Sequence, residues 1–179
     1  HLRQWIGRTE TLSDVAYRTP PQALAATLDR DDPPVRVDDA LPPCWHWLYF
    51  LPLHRHGEIG EDGHPRRGGF LPPVPLPRRM WAGSTLEFQR PLQVGSLISR
   101  TSRIAQVNLK EGRSGSLVFV KVRHEVSDER GLALVEDQDI VYRDHPRPGD
   151  PSPAPQPAPA DAAWTREIRP DEVLLFRYS

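Results

Sequence analysis

The sequence is poor in cysteine, in long apolar runs and in charge excess, and each lack removes a class of function. Cys44 is the one cysteine among 179 residues. A single thiol makes no internal disulfide and no cysteine-based metal cage. It is expected as a reduced, half-buried small side chain. No apolar run approaches the roughly 18 residues of a spanning helix, and the longest candidate, Trp45 to Leu53, contains His46 and is broken by Pro52. Basic and acidic residues nearly cancel, 23 against 24, for a formal net charge of −1. That balance offers no electrostatic footprint for nucleic acid. No signal-peptide pattern opens the chain, so a reducing, cytoplasmic setting is the expectation. His1 stands first rather than Met, so the true start is expected further upstream.

What the sequence has in quantity is proline, 21 residues. Arg8 to Val15 alternates loosely as a short strand. Thr19 reads as a helix N-cap, with Pro20 and Pro21 tolerated in the first turn. Gln22 to Leu28 is helical by propensity, and Asp31 to Pro34 ends it. Pro42 to Leu51 is open between strand and helix, with Trp45, Trp47 and Tyr49 at alternate positions and Phe50 beside them. Residues 52–79 form a long Gly/Pro-rich loop, and loops of that length are usually functional or disordered.

From Met80 the pattern changes to period two. Leu86 and Phe88 share a face, and Pro91 to Gly95 reads as a turn. Leu97 to Leu109 is the next strand, with Ile98 and Ile104 opposite Leu97, Ala105 and Val107. In Leu117 to Val126 the valines 118, 120, 122 and 126 lie opposite Lys121, Arg123 and Glu125. Leu132 to Tyr142 completes an antiparallel meander with strands longer than the usual ~5–6 residues. His145 to Ala160 carries seven prolines at near-alternate spacing, the pattern of an extended spacer. Beyond it Trp164 to Ile168 alternates like a strand, and Asp171 precedes Val173 to Phe176 as a helix N-cap does. The expected organisation is a first unit over 1–144, a proline-rich linker over 145–160 and the start of a second unit over 161–179.

Several short motifs resemble one family. They are Trp5-Ile6-Gly7-Arg8, Leu24-Ala25-Ala26-Thr27-Leu28-Asp29, Pro42-Pro43 before Trp45-His46-Trp47, and Leu76-Pro77-Arg78-Arg79-Met80-Trp81-Ala82-Gly83-Ser84. Phe88-Gln89-Arg90-Pro91-Leu92 with Val94-Gly95, and Ile140-Val141-Tyr142-Arg143, complete the set. Together they resemble the N-terminal half of double hot-dog, MaoC-like hydratases, including hydroxyacyl-thioester dehydratase type 2 and the mesaconyl-CoA and itaconyl-CoA hydratases. The resemblance implies an α+β hot-dog fold, a long antiparallel sheet wrapped around a central helix. It also implies pairing with a second hot-dog unit, a homodimer in that family's manner, and an acyl-CoA or acyl-thioester substrate without a cofactor. In such proteins the catalytic residues follow a Phe-x-Tyr-Ser start, matched here by Phe176-Arg177-Tyr178-Ser179. No catalytic residue is therefore expected in this chain.

Hydration of an enoyl thioester needs a base for water, an acid for the α-carbon and donors for the enolate oxygen. None of the seven histidines has a partner at a telling spacing. His54, His56 and His64 belong to the long loop, and no metal site is assigned to them. His124 sits on the valine face, where a hydrogen-bonded core or sheet-edge histidine is the expectation. His46 either lines an acyl pocket or packs in the aromatic cluster. Arg78 and Arg79 beside Trp81 suit the phosphates and adenine of coenzyme A, or end a solvated loop. Trp47, Phe50, Met80 and Trp81 either wall an acyl or pantetheine slot or are plain core. The expected activity is the substrate-shaping half of an enoyl- or 3-hydroxyacyl-thioester hydratase/dehydratase. A non-enzymatic acyl-CoA-binding module and an acyl-CoA thioesterase are the competing readings, since fold alone does not choose among them.

Overall fold

The computed structural model describes residues 1–112, 115–145 and 154–178. Half of the proline-rich segment, residues 146–153, and Ser179 lie outside the described residues. The strands are β1 (Thr9–Val15), β2 (Arg78–Phe88), β3 (Leu97–Gly112), β4 (Gly115–Asp128) and β5 (Gly131–Arg143). They form one antiparallel sheet in the order β1-β3-β4-β5-β2. The β3-β4-β5 meander matches the period-two reading, with β2 closing on β5 and β1 on β3. Val118, Val120, Val122 and Val126 are all buried on one face. Lys121 and Arg123 face away and pair across strands with Asp139 and Asp137.

One expectation about faces fails. Val107 was expected opposite Ile104, yet both are buried in the same cluster. The register of β3 against β4 slips between Ile104 and Gln106. Ala105 is thus an extra residue, and such a bulge exchanges the two faces downstream of it.

The helix α1 spans Thr19–Thr27. Arg18, not Thr19, occupies its cap position, and no side chain caps it. Pro20 and Pro21 remove two of the N–H groups a cap would serve, so the helix starts without one. At nine residues it buries only Pro21 and Ala25. Most of the covering of the sheet comes instead from the irregular chain between α1 and β2. Leu41, Tyr49 and Phe50 pack with Ile98, Val126 and Leu134. Val74, backed by Phe70, Leu71 and Leu76, packs on the valine row and Tyr142. The segment left open between strand and helix is a 3-10 turn, Trp45–Leu48, entered through Cys44 in a left-handed conformation. Arg67 braces the long loop by donating to the carbonyls of Val74, Leu76 and Pro77, and its guanidinium lies 5.2 Å from the centre of the Tyr142 ring.

The Phe88-to-Gly95 motif proves to be a structural joint. Arg90 grips both oxygens of Asp128, whose side chain is covered, at 2.9 and 2.6 Å, and donates to Gly131 O. It thereby ties the β2–β3 turn to the β4–β5 turn. Arg90 and Arg130 together hold the Asp128 carboxyl far below the usual range, against the opposing effect of burial. Gly95 has a φ of +94°, and a Cβ there would meet Val37 at 3.0 Å, so the turn requires glycine.

Asp171 caps α2 (Glu172–Tyr178) as expected, accepting from Leu174 N at 2.7 Å. Trp164 to Ile168 is not a strand among the described residues. A strand needs a neighbour for its backbone groups, and no strand among the described residues pairs with it. No helix among the described residues is long and apolar enough to cross a membrane.

The Asp128 joint is testable. Arg90→Ala is expected to cost about 2–3 kcal/mol in urea denaturation, because it strips a bidentate donor from a buried carboxylate. Arg130→Ala, removing a more exposed partner two residues away, is expected to cost under about 1 kcal/mol. Equal losses would remove Arg90 from its role as the joint.

Candidate functional site

Alternation on β5 sends Leu134, Glu136, Gln138 and Ile140 to one face, the same face that carries the valine row. Register then aligns Glu10 with Ser102, Ser102 with His124, and His124 with Glu136. A row of polar side chains therefore crosses β1, β3, β4 and β5 on a face that is otherwise apolar.

Glu136 is 6% exposed. Trp47 Nε1 donates to its Oε2 at 2.9 Å and Ser84 Oγ to its Oε1 at 2.5 Å, while His46 Nε2 lies 3.5 Å from Oε2. Trp81 Nε1 donates in turn to Ser84 Oγ at 3.1 Å. Burial alone would push the Glu136 carboxyl up. The hydrogen bonds from His46, Ser84 and Trp47, with the field of His124, outweigh it and hold the group down at about 2. Such a carboxylate is a weak base at neutral pH.

His124 is engaged on both nitrogens, by Ser102 Oγ at 2.8 Å and Gln138 Oε1 at 3.2 Å. With Gln138 Oε1 accepting, His124 carries its proton on Nε2 and accepts from Ser102 at Nδ1. Burial is the main cause that lowers its pKa, so the ring is neutral near pH 7. This matches the expectation of a hydrogen-bonded core histidine.

An inner chamber of about 230 Å³ lies over this row, bounded by His46, Trp47, Phe50, Arg100, His124 and Glu136. It adjoins an outer cleft of about 880 Å³ between β1 and residues 48–71. Glu10, Phe50, Phe70, Leu71 and Arg100 line both.

The residues singled out from sequence divide between these features. His46 is 4% exposed and, with Trp47 and Phe50, forms the chamber wall. Trp81 stands edge-on to Trp47 at 6.3 Å and is 63% exposed. Arg78 and Arg79 do not act as a pair, because successive strand residues face opposite ways. Arg79 lines the outer cleft and is paired with Asp62 at 3.1 Å, while Arg78 contacts Met80 Sδ at 3.6 Å. Met80 lines neither space. Sequence reading missed Glu136, Gln138, Glu10, Arg100 and Ser84. The available signal was polar residues at the apolar phase of a strand, Leu134-x-Glu136-x-Gln138-x-Ile140.

The depressed value at Glu136 makes a pH prediction. A group whose folded-state value lies below its unfolded value, near 4.5, stabilises the fold above that value and loses the contribution as pH falls toward about 2. The stability gap between the wild type and Glu136→Gln is expected to be on the order of 3 kcal/mol at neutral pH, and to close between pH 4.5 and 2 in urea denaturation series. A gap independent of pH would refute the ionised network.

The family model of hydroxyacyl-thioester dehydratase type 2 matches residues 44–179. Mesaconyl-C(4)-CoA hydratase of Chloroflexus aurantiacus is 46% identical over 175 residues, which is 98% of this chain and 62% of that protein. The chain thus spans under two thirds of that relative's length. Among solved structures, the ChsH1-ChsH2 complex from Mycobacterium tuberculosis superposes with a TM-score of 0.54 at 14% identity, over 86% of this chain and 89% of that one. That likeness concerns the fold alone, which is the α+β hot-dog fold. With the family model covering most of its length, the chain belongs to the hydroxyacyl-thioester dehydratase type 2 family.

Proposed function

We propose that this chain is the substrate-shaping half of an enoyl- or 3-hydroxyacyl-thioester hydratase/dehydratase, adding or removing water across the acyl C2–C3 bond. The observation that carries the reading is the cleft that narrows into a chamber over a polar row whose own candidate acid and base are already engaged. Glu136 is held ionised by three donors and His124 is neutral with both nitrogens bonded. General acid–base catalysis needs groups free to exchange a proton near neutral pH. Acid and base are accordingly assigned to the part of the protein beyond Ser179, and the units are taken as 1–144, the linker 145–160 and the entry to a second unit, 161–179.

The name of the Chloroflexus relative supports coenzyme A as the thioester carrier. In this reading His46, Trp47 and Phe50 wall the acyl chamber, Arg79 faces the outer cleft, and Arg78, Met80 and Trp81 form the rim at β2. A second hot-dog unit pairs with this one, and the assembly is a homodimer. The free thiol of Cys44 suits a cytoplasmic setting.

The test uses the full-length protein and follows loss of the conjugated enoyl-thioester absorbance. Phe50→Ala is expected to raise KM about tenfold with kcat changed less than about threefold, the pattern of lost uniform binding. Glu136→Gln is expected to keep kcat within about tenfold. A fall of the ~10²–10⁴-fold that accompanies loss of a general acid or base would put the chemistry in this half, and no hydration of any enoyl-CoA would defeat the reading.

A further inference from the structure

Phe50 stands where the outer cleft meets the inner chamber, and its backbone is strained. Its ring lines both spaces, 5.1 Å from the Arg100 guanidinium carbon. Its φ is +60°, in the left-handed region that a bulky side chain rarely adopts. Strain of this kind persists only where the surroundings over-determine it, and it gathers at sites that handle ligands. The conformation also sets direction. The Phe50 side chain turns inward and is buried, while Leu51 and Leu53 beyond it turn out to solvent. Cys44, at φ +70°, opens the same segment. The stretch that carries His46, Trp47 and Phe50 thus begins and ends on a left-handed residue, and neither is glycine.

Asp14 holds Phe50 in that conformation. Alternation on β1 puts Glu10, Leu12 and Asp14 on the inner face, and register sets Asp14 opposite the buried Ile98. Its Oδ2 accepts from Phe50 N at 2.8 Å and its Oδ1 from Val15 N at 2.7 Å. One oxygen grips its own strand and the other reaches the cover. Phe50 N has no other acceptor among the described residues. A carboxylate is a stronger acceptor than a neutral oxygen, which suits a bond that must hold an unfavourable backbone. Asp14 lines the outer cleft and not the chamber. Its influence on the chamber therefore runs through Phe50.

We infer that Asp14 is a positioning residue: it holds the Phe50 ring in the passage from cleft to chamber, and the place of that ring sets how bulky an acyl end passes. This rests on the thioester reading above. Without the bond the Phe50 backbone relaxes out of the left-handed region and carries the ring away. The spaces of about 230 and 880 Å³ then join through a wider opening, which grips a small acyl end less and obstructs a large one less.

The experiment uses the full-length protein and two enoyl thioesters, crotonyl-CoA and trans-2-octenoyl-CoA. The proteins are wild type, Asp14→Ala, Asp14→Asn, Phe50→Ala and the double variant Asp14→Ala/Phe50→Ala. The readout is the ratio of kcat/KM for the small thioester to that for the large one. Asp14→Ala is expected to lower this ratio at least about tenfold, the scale on which a pocket wall discriminates bulk. For crotonyl-CoA the loss falls on KM, with kcat changed less than about threefold. Asp14→Asn, whose neutral oxygen is a weaker acceptor, gives an intermediate ratio and carries the test if Asp14→Ala does not fold. The double variant matches Phe50→Ala within about twofold, because two residues acting through one ring are not additive. Hydrogen exchange of the Phe50 amide, followed by NMR without any ligand, is expected to quicken at least about tenfold in Asp14→Ala. A lowered melting temperature with an unchanged ratio gives Asp14 a purely structural role and overturns the proposal. So does a loss shared equally by both thioesters, or a further loss in the double variant. If neither thioester is hydrated, the thioester reading falls by itself. The Phe50 amide then decides the positioning role, which stands if exchange quickens and falls if it does not.

Discussion

The ionised carboxylate of Glu136 under the sheet's cover is the constraint to which the surrounding structure answers. A charge removed from water without partners is costly enough to neutralise itself or disrupt the fold. Glu136 stays ionised because donors arrive from two separate segments, Trp47 and His46 from the irregular cover and Ser84 from β2. The two segments are far apart in sequence. Satisfying the carboxylate fixes where the 3-10 turn sits over the sheet and how β2 registers against β5. Trp81 extends the same chain of hydrogen bonds to the surface through Ser84. An apolar residue of similar size at 136 would remove the demand for all of these contacts at once.

The cover itself explains why a cleft exists. A long helix laid on the sheet would present a continuous apolar stripe and fill the face. Here α1 is nine residues long and buries two of them. Proline-rich chain takes over the remaining cover, and prolines cannot supply the regular hydrogen bonds that would let it pack as a continuous element. The chain is held instead at separate points. Arg67 clamps three carbonyls, Phe50 N bonds Asp14 Oδ2 at 2.8 Å, and Tyr49 OH bonds Tyr17 O at 2.6 Å. Between those points the cover does not close on β1, and the 880 Å³ cleft lies there.

The strands and their turns were legible in the sequence because period two and glycine turns are local properties. The valine row of β4 and the Asp171 cap followed directly from spacing. The Ala105 bulge was not legible, because an unpaired residue leaves no mark in the alternation until the partner strand is known. Trp164 to Ile168 misled in the opposite way, since alternation supplies a strand's pattern and not its neighbour. The site was half legible. His46, Trp47 and Phe50 stood out as a dense aromatic run. Arg78 and Arg79 were grouped by sequence adjacency, which strand alternation undoes. Glu136 and Arg100 are ordinary charged residues in amphipathic strands, and only the face they share with the valines reveals them.

The polar row is unequal at its two ends, and the inequality separates structural from ligand-facing groups. At the β4–β5 end the carboxylate oxygens of Glu136 and both ring nitrogens of His124 are all engaged. Those atoms gain nothing from a new partner and resist rearrangement, while His46 Nδ1 at the edge of the same network is buried without a partner. At the β1–β3 end Glu10 and Arg100 attract each other only through space, and Arg100 retains open donors. Binding energy is available where donors lack acceptors, because a ligand there relieves a penalty already present in the free protein. The saturated end therefore positions the wall of the chamber, and the unsaturated end, which opens to the cleft, is where an incoming ligand has most to gain.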